Sequence, residues 1–139
     1  MTLFVDTSVW SLAWRRDAPP DLPEVSRLLA ALDAMEPIFA TGLVLHELLQ
    51  GFAGPVARSR ILERFSAVPL VRPDLRDHVD AADLHGALRR QGVQASTIDV
   101  LLAQLCIRRE LTMLSADRDF RHIARHSALQ LWSPDSAQH

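Results

Sequence analysis

Leu3-Phe4-Val5-Asp6-Thr7-Ser8-Val9-Trp10 is the stretch on which the reading of this chain turns. Three apolar residues stop at a carboxylate, as a short strand buried on both faces would. Thr7 or Ser8 can cap a helix that carries Val9, Trp10, Leu12 and Ala13 at helical spacing. The stretch therefore predicts a strand followed at once by a helix, with Asp6 at the carboxyl end of the strand. In open α/β sheets that edge is where ligands bind. An aspartate there can also serve as a helix cap, but Thr7 and Ser8 are available for that task.

The pattern recurs outward along the chain. Asp21-Leu22-Pro23-Glu24 combines a cap, a first-turn proline and a capping-box acid, and opens a helix bearing Val25, Leu28, Leu29 and Leu32 that ends near Glu36-Pro37. Short strands are expected at residues 38–40, 68–71, 111–114 and 129–132. Helices are expected over about 42–50, 56–65, 74–90, 96–109 and 117–125, with Gly51 and Gly92 as stops. Strands alternating with helices at these intervals predict an α/β domain with a mainly parallel sheet flanked by helices. One domain over residues 1–133 is expected, with 134–139 a frayed tail.

The bulk numbers narrow the function classes. A chain of 139 residues is long enough for one domain with its own core, and 48% hydrophobic with 23% charged residues is ordinary for a globular protein. No apolar run approaches the roughly 20 residues that span a bilayer. Residues 1–6 have neither the basic nor the long apolar region of a signal peptide, and the single Cys106 has no internal partner, so a cytoplasmic protein without a membrane association is expected. The net charge of -2 argues against a simple basic nucleic-acid glove. All 15 basic residues are arginine, which GC-rich coding explains on its own, although arginine is also the better fork for phosphate. Without lysine the chain cannot be a P-loop NTPase, and receiver domains and haloacid-dehalogenase-type phosphatases lose the lysine they usually pair with a first-strand acid.

Three further sites place acids where chemistry can use them. Ile98-Asp99-Val100-Leu101-Leu102-Ala103-Gln104-Leu105-Cys106-Ile107 is a helix apolar on nearly every face, interrupted only by Asp99 and Gln104. A buried carboxylate needs a cation, a metal or hydrogen-bond donors, and first-turn N–H groups or an arginine are the structural alternatives. Glu47 interrupts a second apolar helix, Leu43-Val44-Leu45-His46-Glu47-Leu48-Leu49, where a solvated helix face would also explain it. Ser115-Ala116-Asp117-Arg118-Asp119-Phe120 ends a strand in a carboxylate pair, one of which can be a cap. If these helices lie beside the strand ends, Asp6, Glu47, Asp99 and Asp117 converge at the carboxyl edge of the sheet. Crowded carboxylates stay ionised only when a cation neutralises them. An all-oxygen donor set favours Mg²⁺ or Mn²⁺ over zinc and suits in-line hydrolysis of a phosphodiester.

Asp6-Thr7-Ser8-Val9-Trp10, His46-Glu47-Leu48, Asp99-Val100-Leu101-Leu102-Ala103 and Ser115-Ala116-Asp117-Arg118-Asp119-Phe120 resemble, in that order, the four acidic motifs of PIN domains, and among them VapC, the toxin half of VapBC toxin–antitoxin pairs. The resemblance runs from about residue 2 to residue 132. It implies a five-stranded parallel sheet, a Mg²⁺- or Mn²⁺-dependent endoribonuclease acting on RNA, a homodimer, and inhibition by a cognate VapB-type antitoxin. It implies Asp6, Glu47, Asp99 and Asp117 as metal-site acids, Asp119 as a further acid of the last motif, and Thr7 and Ser115 as hydrogen-bonding supports. The rival is a PIN-like fold that serves as a non-catalytic binding or assembly module.

Other residues carry less. Arg15, Arg16, Arg89, Arg90, Arg118 and Arg121 can contact an RNA backbone, Arg15 and Arg118 foremost, but a solvated face also accounts for them. Trp10 and Trp14, four apart on the first helix, can stack on a base, line a groove with Val9 for an antitoxin helix, or pack in the core. His122 and His126 have a zinc-like spacing without a third ligand, and Cys106 reads as core.

Overall fold

The computed structural model describes residues 1–15 and 19–135; Arg16 and the 136–139 part of the expected frayed tail lie outside them. Along the chain the elements are β1 (Leu3–Val5), α1 (Thr7–Ala13), α2 (Pro23–Asp33), β2 (Ile38–Phe39), α3 (Gly42–Gly51), α4 (Pro55–Phe65), α5 (Leu75–Arg90), α6 (Thr97–Arg108), β3 (Thr112–Leu114), α7 (Arg118–Arg125) and β4 (Gln130–Leu131). The α/β class and the alternation expected from the sequence hold, with ends displaced by one to three residues.

The strands form one parallel sheet in the order β2-β1-β3-β4. Leu3, Phe4 and Val5 are all buried, as are Thr112, Met113 and Leu114. Consecutive strand residues point to opposite faces, so both faces of the centre are covered. Helix α6 supplies Val100, Leu102, Leu105 and Cys106 to this core, and α1 supplies Val9 and Trp10.

The fifth strand expected at residues 68–71 is absent among the described residues; only an isolated bridge joins Leu70 to Ala40. Ala40 N donates to Pro69 O at 3.2 Å and Val71 N to Ala40 O at 2.8 Å. Pro69 has no N–H to extend the ladder, and Val68 N turns back to Phe65 O at the end of α4. Two helix starts also differ. Helix α2 is capped by Leu22 without a side-chain bond, and Pro23 with its fixed φ begins it instead of Asp21. In α1 the capping position is Asp6, not Thr7 or Ser8, yet the Asp6 side chain makes no capping bond.

The order of the strands sets the position of the site. The chain leaves β1 for β2 on one side, then returns across the sheet to β3 and β4 on the other. Between β1 and β3 the direction of winding reverses, and there the loops after two neighbouring strands part to leave a crevice. Asp6 follows β1 and Ser115-Ala116-Asp117 follow β3, so both emerge at that crevice. Asp6 N donates to Leu114 O at 3.2 Å, which binds the two strand ends together.

The helix caps bring the remaining acids into place. Ser96 Oγ accepts from Asp99 N at 3.1 Å and fixes the first turn of α6. Asp74 and Asp77 form a reciprocal capping box at the start of α5. Gly92, at φ 79° beyond the end of α5, takes the left-handed conformation that closes that helix.

Candidate metal centre

Asp6 is 5% exposed, and each of its oxygens has a hydroxyl donor. Ser8 Oγ donates to Oδ1 at 2.6 Å and Ser115 Oγ donates to Oδ2 at 2.9 Å. Burial pushes the Asp6 carboxyl up to about 6, with the Asp117 charge adding to the rise and the two hydroxyls opposing it. The Ser115 hydroxyl also accepts from Asp117 N at 3.0 Å, and the Ser8 hydroxyl from Ala116 N at 2.9 Å.

Three further carboxylates, those of Asp99, Asp117 and Asp119, gather together, and Asp117 is close enough to Asp6 to act on it through its charge. Asp117 caps α7 by accepting from Asp119 N at 2.9 Å, Asp119 lies in that helix's first turn, and Asp99 lies in the first turn of α6. One oxygen from each of Asp99, Asp117 and Asp119 lies within 4.8 Å of the others. Asp99 is half-buried. Burial raises its carboxyl above the ordinary range, the Ser96 hydroxyl opposes the rise, and the charges of Asp117, Asp119 and Glu47 reinforce it. Glu47 is exposed on α3 and close enough to act on Asp99 through its charge.

None of these five acids forms an ion pair among the described residues. Like charges as close as those of Asp99, Asp117 and Asp119 repel one another unless a cation enters. The donor set of Asp99, Asp117 and Asp119 is oxygen only, partly open to solvent, and small enough to converge on one ion, while Asp6 and Glu47 are not part of that group of three. A hard divalent cation fits it, and both Asp117 and Asp119 can take part.

Of the two hydroxyls expected to support the acids, Ser115 bonds Asp6 and Asp117 N, whereas Thr7 makes no side-chain hydrogen bond among the described residues; Ser8, not singled out for that role, bonds Asp6 and Ala116 N. The sequence signal for Ser8 was only its position two residues after Asp6, which many capped helices share. Arg15 and Arg118 are both exposed, Arg118 between the two acids of α7. Val9 and Trp10 are buried, so neither is free to stack on a base, and Trp10 Nε1 donates to Val5 O at 3.2 Å. Trp14 is half-buried, 4.8 Å from Trp10 and 5.8 Å under the Arg64 guanidinium. Trp10 and Arg64 line a groove of about 580 Å³ together with Leu32, Arg60, Glu63 and Val68, and neither Val9 nor Trp14 lines it. His122 and His126 are exposed and Cys106 is core.

The model of the PIN domain family matches residues 3–126 of this chain. Among solved structures, the VapBC2 complex of Rickettsia felis bound to a promoter DNA fragment is similar over 96% of this chain and 100% of that one, with 19% identity and a TM-score of 0.74. VapBC-1 of nontypeable Haemophilus influenzae is similar over 96% and 98%, with 14% identity and a TM-score of 0.71. The sarcin–ricin-loop-cleaving toxin VapC20 of Mycobacterium tuberculosis is similar over 86% and 92%, with 17% identity and a TM-score of 0.62. At these identities the likeness is one of fold.

Proposed function

The chain belongs to the PIN domain family, and from that premise we propose that it is a divalent-metal-dependent endoribonuclease and the toxin of a toxin–antitoxin pair. The observation that carries this reading is the unneutralised acid cluster at the crevice between β1 and β3. Asp99, Asp117 and Asp119 present oxygens within 4.8 Å of one another, and none of them forms an ion pair among the described residues. Asp6 stands behind them on its two serine hydroxyls.

In this reading Asp6, Glu47, Asp99 and Asp117 hold one or two Mg²⁺ or Mn²⁺ ions, with Asp119 as a further ligand. When bound, such ions supply Lewis-acid polarisation of the phosphodiester and a nucleophilic water at neutral pH. The chain's own residues do the positioning. Ser8 and Ser115 fix the Asp6 carboxylate, and Ser115 and the start of α7 fix Asp117. Arg15 and Arg118, both exposed, are the proposed contacts to the RNA backbone.

The likeness to VapBC complexes supports a VapB-type antitoxin as partner, and a homodimer in the cytoplasm is part of the same proposal; no helix among the described residues is long and apolar enough to cross a membrane. The groove lined by Trp10 and Arg64 offers an apolar floor with charged walls, which suits an amphipathic antitoxin segment. Co-expression with the neighbouring open reading frame is expected to suppress toxicity and yield a co-purifying complex.

Cleavage of total cellular RNA by the purified chain, with Mg²⁺, Mn²⁺ or EDTA and beside Asp99→Asn, tests the nuclease. The expected result is metal-dependent cleavage that drops by about a hundredfold or more in the variant. A folded Asp99→Asn protein with full activity would overturn the assignment of Asp99, and a metal-binding wild type that cleaves no RNA would favour a binding module.

A further inference from the structure

We propose that Ser8 is a positioning residue of the acid cluster, its one hydroxyl setting the Asp6 carboxylate and the turn that presents Asp117 at the same time. The inference rests on the metal-site reading above and adds a residue to it.

Counting protons gives the argument. A serine hydroxyl has one proton to donate and lone pairs to accept. Asp6 is ionised when it serves a cation, so both of its oxygens accept. The Ser8 proton therefore goes to Oδ1 and the Ser115 proton to Oδ2, at 2.6 and 2.9 Å. With both protons committed, the 3.4 Å approach of the two hydroxyls to each other is not their main bond. Their lone pairs take two consecutive backbone donors instead, Ala116 N on Ser8 at 2.9 Å and Asp117 N on Ser115 at 3.0 Å.

The result is a closed arrangement across the mouth of the crevice. Helix α1 reaches through Ser8 to the loop after β3, and that loop reaches back through Ser115 to the end of β1. Ser8 joins the two chain segments a second time, by way of Ala116, more than a hundred residues away in sequence. A carboxylate with both oxygens oriented by donors keeps its outward lone pairs aimed in one direction, and the hydroxyl–amide bond holds Asp117 at a fixed height beside it. Groups one layer behind a metal site commonly set its affinity in this way. Thr7, adjacent in the sequence and in the same turn, makes no such bond among the described residues and serves as the internal control.

Mn²⁺ binding to the full chain, followed by calorimetry and by the EPR signal of free Mn²⁺, tests this without reference to cleavage. Ser8→Ala is expected to weaken binding by about tenfold or more, Ser8→Thr to restore it, and Thr7→Ala to leave it as in the wild type. Amide exchange at Ala116 in the metal-free protein is expected to speed up in Ser8→Ala and not in Ser8→Thr. If Ser8→Ala fails to fold, Ser8→Cys, similar in shape with a weaker donor, is read in its place and is expected to lose affinity too. Folded Ser8→Ala or Ser8→Cys that binds Mn²⁺ as the wild type does would overturn the role of Ser8 alone. A wild type that binds no Mn²⁺ would overturn the metal site and this role with it.

Discussion

Helix α6 has a cluster of carboxylates at each end, and the two are treated oppositely. At its C-terminal end Arg108 and Arg109 meet Asp74 and Asp77. Arg109 grips Asp77 with two nitrogens at 3.0 Å each, and Arg108 bonds Asp74 at 2.7 Å and Asp77 at 3.0 Å. Asp77 is wholly buried, and burial alone would raise its carboxyl. Arg109, the Asp74 backbone N–H and Arg108 outweigh that and hold it well below the ordinary carboxylate range. At the N-terminal end Asp99 faces Asp117, Asp119 and Glu47 with no ion pair among the described residues, and its carboxyl is raised. The same fold thus neutralises one acid cluster internally and leaves the other to be neutralised from outside. A site that must take up an ion looks like the second and not the first.

The comparison breaks most visibly if Asp77 loses its charge. Asp77→Asn leaves Arg108 and Arg109 facing an amide at a fully buried position and weakens the capping box. A loss of about 2–3 kcal/mol in unfolding free energy is expected by urea denaturation, short of the upper range because both arginines are partly solvated. An unchanged midpoint would mean that the arginines merely cover Asp77.

The pH dependence sharpens the contrast, because the two ends carry opposite signs. Asp6 moves from an ordinary 3.8 to about 6 on folding, so the folded state holds that proton more tightly than the unfolded one. Its contribution to stability grows as pH falls through about 6 and levels off near 4, with Asp99 acting in the same direction. For Asp6 this amounts to about 1 kcal/mol between about pH 7.5 and about pH 5. Asp77 is depressed, so its stabilisation is complete above about pH 4 and is lost as pH falls through its folded value. Metal-free protein is therefore expected to be most stable between about pH 4 and about pH 6, by thermal melts across that range. Mn²⁺ affinity is expected to move the other way, falling by about tenfold over the same descent as protons compete for Asp6. A flat stability profile there would remove the strain assigned to the acid cluster.

How much of this was legible in the sequence depends on range. Asp6 and Asp117 were legible because a strand that stops at an acid needs only local pattern, and the parallel alternation puts such stops on one edge. Asp99 was legible because an apolar helix makes a lone carboxylate conspicuous. The choice between Asp117 and Asp119 was not, and the structure gives a reason: capping by Asp117 does not remove it from the cluster, so both oxygens reach Asp99. The pairing of Asp74 with Arg108 was not legible, since the two lie 34 residues apart and nothing in the spacing couples them. Ser8 hid for the same reason, its bond to Ala116 spanning 108 residues. The lost strand at 68–71 was the opposite failure, where local apolar pattern was sufficient but Pro69 and the turn from Phe65 denied it a ladder.

The smallest expected effect is the one that most directly separates the two ends of α6. Asp99→Asn is the same chemical change as Asp77→Asn, on the same pair of helices, in a half-buried position. It removes one negative charge from a group of acids instead of one member of an ion lattice. Relief of repulsion from Asp117, Asp119 and Glu47 is partly screened by solvent, so a gain of about 0.5–1 kcal/mol in metal-free stability at neutral pH is expected. The gain is expected to shrink in high salt, and saturating Mn²⁺ is expected to reverse the order, because the wild type alone is then stabilised by its ligand. Urea titrations of both proteins with EDTA and with Mn²⁺ check all three. A loss of stability in EDTA comparable to that of Asp77→Asn would mean that Asp99 is held by partners of the chain's own, and the acid cluster would then be structural at both ends.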